Sequence, residues 1–109
     1  MVDGMPLLAL RGVCDKLTAT ATKKIIQGLL DMDERTILLE MSDLVFTDEA
    51  SYRILNDCCK NILNVEGYLI LINPKPEVLK AAEQMPLGMG CVVVNNLEEA
   101  LIKAKKKAA

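Results

Sequence analysis

The residues of this chain best suited to chemistry are two adjacent acids, Asp48 and Glu49, in the segment FTDEASY at 46–52. The segment follows an apolar run and precedes a long helical pattern, so a strand is expected to pass into a helix there. A third acid, Asp15, follows the first apolar run of the chain. In parallel α/β sheets such junctions share the edge where ligands and partners bind. The three carboxylates therefore predict either a cation site or a negatively charged docking surface.

A purely local role would also account for two of these acids. Aspartate is favoured at the N-cap of a helix, because its side chain accepts a hydrogen bond from a backbone N–H of the first turn. A glutamate in the first turn gains about 0.3–1 kcal/mol from the helix dipole. Capping by Asp48 and a dipole interaction of Glu49 are therefore the alternative to a functional site.

Composition disfavours other site chemistry. The chain has 109 residues and no histidine, so the commonest general base and the His-activated nucleophiles are absent. Its four cysteines lack the C-x-x-C spacing of zinc sites. The adjacent Cys58 and Cys59 are predicted to be small core and boundary residues of a helix. We therefore predict no enzymatic activity, no metal and no cofactor.

Charge and hydropathy limit the partners. The net charge is −2 and the chief basic cluster is KAKKK at 103–107. Such a cluster is typical of a solvated last helical turn, so nucleic acid is not an expected partner. The first residues carry no basic n-region, and no apolar run is long enough to span a bilayer. We expect a cytoplasmic protein without a signal peptide or membrane span.

The elements that would position the acids alternate between strand and helix. Apolar runs and helical spacings predict strands at 7–10, 36–41, 68–72 and 91–94, and helices over about 19–30, 49–65, 77–84 and from Asn95 or Asn96 onward. Thr18 is the predicted N-cap of the first helix and Gly67 the predicted end of the second. A turn is predicted near Ser42. This alternation predicts one α/β domain over 1–109 with a mostly parallel sheet.

The order of several segments resembles the STAS domain, the family of anti-sigma-factor antagonists that also occurs in sulphate transporters. These segments are GVCD at 12–15, DLVFTD at 43–48, GYLILINP at 67–74 and NLEEAL at 96–101. The resemblance covers roughly residues 7–104. It implies a single-domain STAS-like fold with a four- to five-stranded, mostly parallel sheet and about four helices. A phosphoacceptor domain of the response-regulator kind is disfavoured, because no acidic pair follows the first strand.

In that family the junction reads Asp-Ser-Ser/Thr/Ala-Gly, and the serine accepts phosphate from a partner kinase. The resemblance places Asp48 at the aspartate, Glu49 at the serine and Ser51 at the glycine. Glu49 has no hydroxyl and carries about one negative charge, against roughly −1.5 to −2 for phosphoserine. It is therefore expected to hold the surface in a fixed, phospho-like state, with Ser51 as an alternative phosphoacceptor. Arg53, where the family often has a small residue, is expected to change which partner fits and to pair with Glu49.

The function that this resemblance implies is protein binding without catalysis. The expected partner is an anti-sigma factor, a serine kinase-like protein or another protein that recognises STAS domains, and a homodimer is left open. The predicted partner-binding residues are Asp15, Thr47, Asp48, Glu49, Ser51, Tyr52, Arg53 and Asn56. Two alternatives stay open: a regulatory domain that binds a small molecule or nucleotide, and a STAS accessory subunit of an ABC-type transporter.

Overall fold

A computed structural model describes residues 4–46, 49–76 and 91–108. The elements in chain order are β1 (Leu7–Cys14), α1 (Lys16–Asp31), β2 (Thr36–Phe46), α2 (Glu49–Asn64), β3 (Tyr68–Ile72), β4 (Cys91–Val94) and α3 (Leu97–Ala108). The four strands form one sheet in the order β1-β2-β3-β4, and every neighbouring pair is parallel. The predicted parallel α/β fold is thus confirmed with four strands. The helix predicted over 77–84 lies outside the described residues.

The two faces of the sheet are covered by different helices. Successive residues of a strand point to opposite faces, so Ile37 and Leu39 pack in one cluster with α1 and α2, whereas Leu38 packs in the other with α3. All three side chains are completely buried, and each large apolar side chain contributes roughly 1.5–3 kcal/mol by leaving water. This double burial explains why β3 and residues 37–39 of β2 are continuously apolar.

The second strand does not stop where the sequence predicted. Ala9 of β1 lies opposite Glu40 of β2, but Arg11 lies opposite Asp43. One extra residue on β2 is therefore accommodated as a β-bulge. The turn predicted near Ser42 is this bulge, inside a continuous strand.

The side chain of Glu40 stabilises the bulge. Its Oε1 accepts a hydrogen bond from the backbone N–H of Ser42 at 2.9 Å. Hydrogen bonding from Ser42 lowers the pKa of Glu40, with a smaller contribution from the charge of Arg11. Because the bulge keeps the strand intact, β2 runs on to Phe46, and β1 runs to Cys14 instead of ending at residue 10.

The helix caps were predicted with mixed success. The first helix begins three residues earlier than expected, because Asp15 and not Thr18 is its N-cap: Asp15 Oδ1 accepts from Thr18 N at 2.9 Å. For α3 the prediction of an asparagine cap is confirmed. Asn96 Oδ1 accepts from Glu99 N, and Glu99 Oε2 accepts from Asn95 N, both at 2.8 Å.

The second helix ends at Asn64, and Gly67 follows for a different reason than predicted. Glu66, not the glycine, adopts the left-handed conformation, with a φ of 59°. Gly67 N donates to Ile62 O at 2.8 Å. A Cβ on Gly67 would lie 2.5 Å from Arg35 O and 2.8 Å from Ile62 Cγ1. Glycine is needed here because the neighbouring backbone leaves no room for a side chain.

Within the described ranges, no helix combines the length and the apolar character needed to cross a bilayer.

Candidate functional site

Two helix starts meet at one edge of the sheet. Cys14, the last residue of β1, is paired in parallel with Phe46, the last residue of β2. The helices that follow begin at Lys16 and Glu49, and α1 and α2 pack on the same face of the sheet. The backbone therefore brings the two acidic junctions of the sequence to one edge. The N-terminal ends of both helices, which carry partial positive charge, also emerge there.

Asp15 has a structural role at this edge. Its carboxylate is exposed and caps α1 by accepting a hydrogen bond from the backbone of Thr18. Hydrogen bonds from the backbone and then the side chain of Thr18 are the largest causes that lower the pKa of Asp15. The carboxylate is thus ionised at neutral pH and presents a negative charge to solvent while it holds the helix start.

At the centre of the predicted site the structure describes only the backbone of Glu49 and Tyr52. Glu49 is the first residue of α2, and Tyr52 lies within the first turn of that helix. Thr47 and Asp48 lie outside the described residues, as do the side chains of Glu49 and Tyr52. The predicted pairing of Glu49 with Arg53 therefore stays a prediction.

Ser51 is not on the surface. Its relative exposure is 0%, although the sequence predicted it as a partner-binding residue and an alternative phosphoacceptor. The physical reason is its position on the inward stripe of α2, which continues through Leu55 and Ile62. A kinase would have to open the start of α2 to reach this hydroxyl. Burial also explains why a small residue stands here.

The other two predicted residues of α2 differ from each other. Arg53 is exposed and lies on the outer face of the helix, one turn before the exposed Asp57. Asn56, which was predicted to bind a partner, is half-buried. Its Oδ1 is buried and accepts no hydrogen bond from the described residues. Arg53 therefore extends the candidate surface along α2, whereas Asn56 only borders it.

Two exposed apolar residues that the sequence reasoning missed precede and follow Asp15 by two positions in the chain. Val13 is 61% exposed at the end of β1, and Leu17 is 80% exposed in the first turn of α1. Leu17 could have been noticed, because it falls outside the buried stripe of α1, which contains Ala19, Ile26 and Leu30. Apolar side chains flanked by charge are common at protein-binding surfaces. We give the name junction surface to the exposed residues Val13, Asp15, Leu17 and Arg53, together with the predicted site residue Glu49 at the start of α2.

Comparison with known proteins identifies a family and a relative that match most of the chain. A family model described as the STAS domain matches residues 2–100. The Bordetella bronchiseptica protein BtrV, named as an anti-sigma factor antagonist, is 28% identical over 82 residues, which are 75% of this chain and 71% of BtrV.

Solved structures agree with this fold. The phosphorylated form of the Bacillus cell fate determinant SpoIIAA superposes with a TM-score of 0.75 at 23% identity, over 95% of each chain. The unphosphorylated form of SpoIIAA, an anti-sigma factor antagonist, gives 0.74 at 21% identity, over 97% of this chain and 94% of its own. The NMR structure of the protein TM1081 superposes with a TM-score of 0.79 at 20% identity, over 97% of this chain and 86% of TM1081. At these identities the likeness establishes the fold.

Proposed function

Because this chain belongs to the STAS domain family, whose model matches residues 2–100, we propose that it is a protein-binding module of the anti-sigma-factor-antagonist kind. Antagonists of this family are generally non-enzymatic, and the proposal assigns the chain no catalytic step. Its partner is an anti-sigma factor or a kinase-like protein that recognises the junction surface. The parallel pairing of Cys14 with Phe46, which brings the starts of α1 and α2 to one edge, is the observation that carries this proposal.

The chemistry of the junction surface suits a partner protein. Val13 and Leu17 offer exposed apolar area next to an ionised carboxylate of Asp15. In protein interfaces the apolar centre contributes most of the affinity, while surrounding charges set partner choice and association rate. We therefore assign anchoring to Leu17 and Val13, and selection of the partner to the charged residues.

Glu49 is the residue that we propose sets this selection. By resemblance it stands where switchable relatives have a phosphoacceptor serine, and it is the first residue of α2. Its carboxylate supplies about one permanent negative charge in place of the −1.5 to −2 of phosphoserine. On this proposal the chain presents a constant, partly phospho-like surface. Arg53, one turn further along α2, adds a cation that a switchable member often lacks.

Substitutions at two exposed apolar residues, one at each end of α1, test where the partner binds. The binding partner would first be captured from the native host and purified, and its dissociation constant measured by calorimetry. Leu17→Glu should weaken binding at least tenfold, because it places a charge in the apolar part of the junction surface. Met32→Glu makes a similar change at a residue that is 74% exposed at the other end of α1. This matched control should change the dissociation constant less than threefold.

Equal loss of affinity in the two variants would contradict the proposed location. Unchanged affinity in both would have the same consequence. Circular dichroism and thermal unfolding of each variant separate an effect on binding from an effect on folding.

A further inference from the structure

Two cysteines that the proposed function does not use meet in the core. The sulphur of Cys59, on α2, lies 2.9 Å from the sulphur of Cys91, the first residue of β4, and Cys59 donates its S–H to Cys91. Both are completely buried and neither is in a disulfide. They are 32 residues apart in the chain, so the fold alone brings them together.

The fold places this pair at a junction between two layers. Cys91 is paired with Leu69 of β3, and α2 packs onto that part of the sheet in the same cluster as both cysteines. A disulfide has an S–S distance of about 2.05 Å, so the two sulphurs need to approach by only about 0.9 Å. Preorganisation of this kind makes reaction between two groups strongly favoured over reaction with outside molecules.

We propose that Cys59 and Cys91 form a reversible dithiol–disulfide couple, which joins α2 to β4 when the protein is exposed to a peroxide. The Cys91 sulphur, which accepts the hydrogen bond, loses its proton and attacks one peroxide oxygen. This forms a sulfenic acid and releases hydroxide. The Cys59 thiol then attacks the Cys91 sulphur, and its proton leaves with the sulfenic oxygen as water. The two sulphurs together lose two electrons, which reduce the peroxide.

The surroundings keep the pair reduced under ordinary conditions. The hydrogen bond to Cys91 and burial both raise the pKa of Cys59, and the thiolate is the reactive form of cysteine. Oxidation is therefore expected to be slow and to require brief local opening of α2. Once formed, the bond closes a loop that contains β3 and restricts the unfolded chain. The inference does not depend on any partner, so it stands apart from the proposed function.

Cys58 provides a matched control. It neighbours Cys59 on α2 and is equally buried, and burial raises its pKa to about 12. Its side chain, however, points about 100° away around the helix axis, and the contact with Cys91 belongs to Cys59. Chemistry that requires only a buried cysteine on α2 would involve both residues, whereas the proposed couple excludes Cys58.

The test oxidises the folded protein with hydrogen peroxide, blocks the remaining thiols with iodoacetamide and maps linked peptides by mass spectrometry. Wild type and Cys58→Ser should each lose two hydrogens and yield a peptide linked between Cys59 and Cys91. Cys59→Ser and Cys91→Ser should not form an intramolecular link. A link through Cys58 or Cys14, or oxidation of single sulphurs without a link, would overturn the proposal.

Thermal unfolding gives a second readout that needs no substitution at the pair. Oxidised wild type should unfold roughly 10 °C higher than the reduced protein, because the closed loop restricts the unfolded chain. Dithiothreitol should return the Tm to its starting value. If the mapped link forms but the Tm does not rise, the bond does not join α2 to β4 in the native geometry, and the proposal fails.

Discussion

The two ends of α2 are determined in different ways. At its C-terminal end Gly67 is enclosed by Arg35 O and Ile62 Cγ1, which lie 2.5 and 2.8 Å from where a Cβ would be. At its N-terminal end Glu49 begins the helix three residues after Phe46, the last residue of β2, which is paired with the last residue of β1. Packing alone specifies glycine at the first end. At the second, the helix dipole favours an acid by only about 0.3–1 kcal/mol, so local structure permits glutamate without requiring it.

This difference separates residues that the fold requires from residues whose identity is determined by the binding of a partner. Replacing Gly67 should damage folding whatever the protein binds. Replacing Glu49 should leave the fold nearly unchanged and act on binding. If substitutions at Gly67 and at Glu49 had the same effects on folding and on binding, the proposed difference between the two ends of α2 would be wrong.

The largest expected effect is on stability at the C-terminal end. Gly67→Ala should lower the free energy of unfolding by about 2–3 kcal/mol, because the new methyl group overlaps a backbone oxygen that cannot move freely. Urea unfolding measures this change. Gly28→Ala is the matched control, since a Cβ there meets nothing within 4 Å. It lies inside the exposed part of α1, and alanine should raise stability by about 0.5–1 kcal/mol.

A decrease of similar size at Gly28 would mean that alanine is harmful at any glycine of this fold. The steric account of Gly67 would then be wrong.

A smaller effect is expected where the junction surface and the fold share a residue. Asp15→Ala removes the cap of α1 and should lower the Tm by roughly 3–6 °C. Asp15→Asn keeps an accepting oxygen and should lose much less. If both variants lose the same amount, the charge and not the hydrogen bond to Thr18 stabilises the helix start. Differential scanning calorimetry at neutral pH distinguishes these results.

Comparison of the wild type with Asp15→Asn also tests the ionisation of Asp15. Its pKa is lowered in the folded protein from an ordinary value of 3.8, so the unfolded chain takes up the proton first as pH falls. The stabilisation by the charge is complete well above pH 3.8 and disappears below it. The Tm difference between wild type and Asp15→Asn should therefore be constant from about pH 5 to 7 and should shrink below about pH 4. A difference that grows on acidification would contradict this assignment.

The smallest effect is expected between the two ends of α2, on its outer face. Lys23 Nζ of α1 lies 3.7 Å from Asp57 Oδ2, and the side chains are 40% and 52% exposed. A double-mutant cycle with Lys23→Ala and Asp57→Ala should give a coupling of about 0.2–1 kcal/mol that decreases at high salt. A coupling well above this range would show that the outer face anchors α2. The two ends of α2 would then differ less in how their residues contribute to the stability of the fold.

The sequence predicted the sheet better than it predicted the positions where polar side chains act. The runs at 68–72 and 91–94 were assigned correctly, because strands covered on both faces must be apolar throughout. The strand ending at Phe46 was cut short, since polar Ser42 and Asp43 look like a turn. The register of β1 against β2 reveals a bulge there, which the hydrogen bond from Ser42 N to Glu40 stabilises. Such side-chain partners depend on how β1 and β2 are aligned in the sheet, and the pattern of residue types does not predict that register.

In the candidate site, too, some features were predictable from the sequence and others were not. The meeting of the two acidic junctions was predictable, because parallel strands end at one edge of a sheet. The burial of Ser51 was not, since serine is also an ordinary first-turn residue and only the rotation of α2 against the sheet decides its environment. Asp15 and Thr18 are both good capping residues, so the sequence could not choose between them. The exposure of Leu17 depends in the same way on the rotation of α1 against the sheet.

The most direct test of the central claim is the affinity of the purified partner for Glu49→Ser and Glu49→Ala, measured against Glu98→Ala. Glu98 is an exposed acid in the first turn of α3, on the other face of the sheet, so this control removes a similar charge from a similar place. We expect both Glu49 variants to change the dissociation constant at least tenfold with their thermal unfolding nearly unaltered, and Glu98→Ala to change it less than twofold. Equal dissociation constants for wild type and both Glu49 variants would contradict the claim that this carboxylate selects the partner.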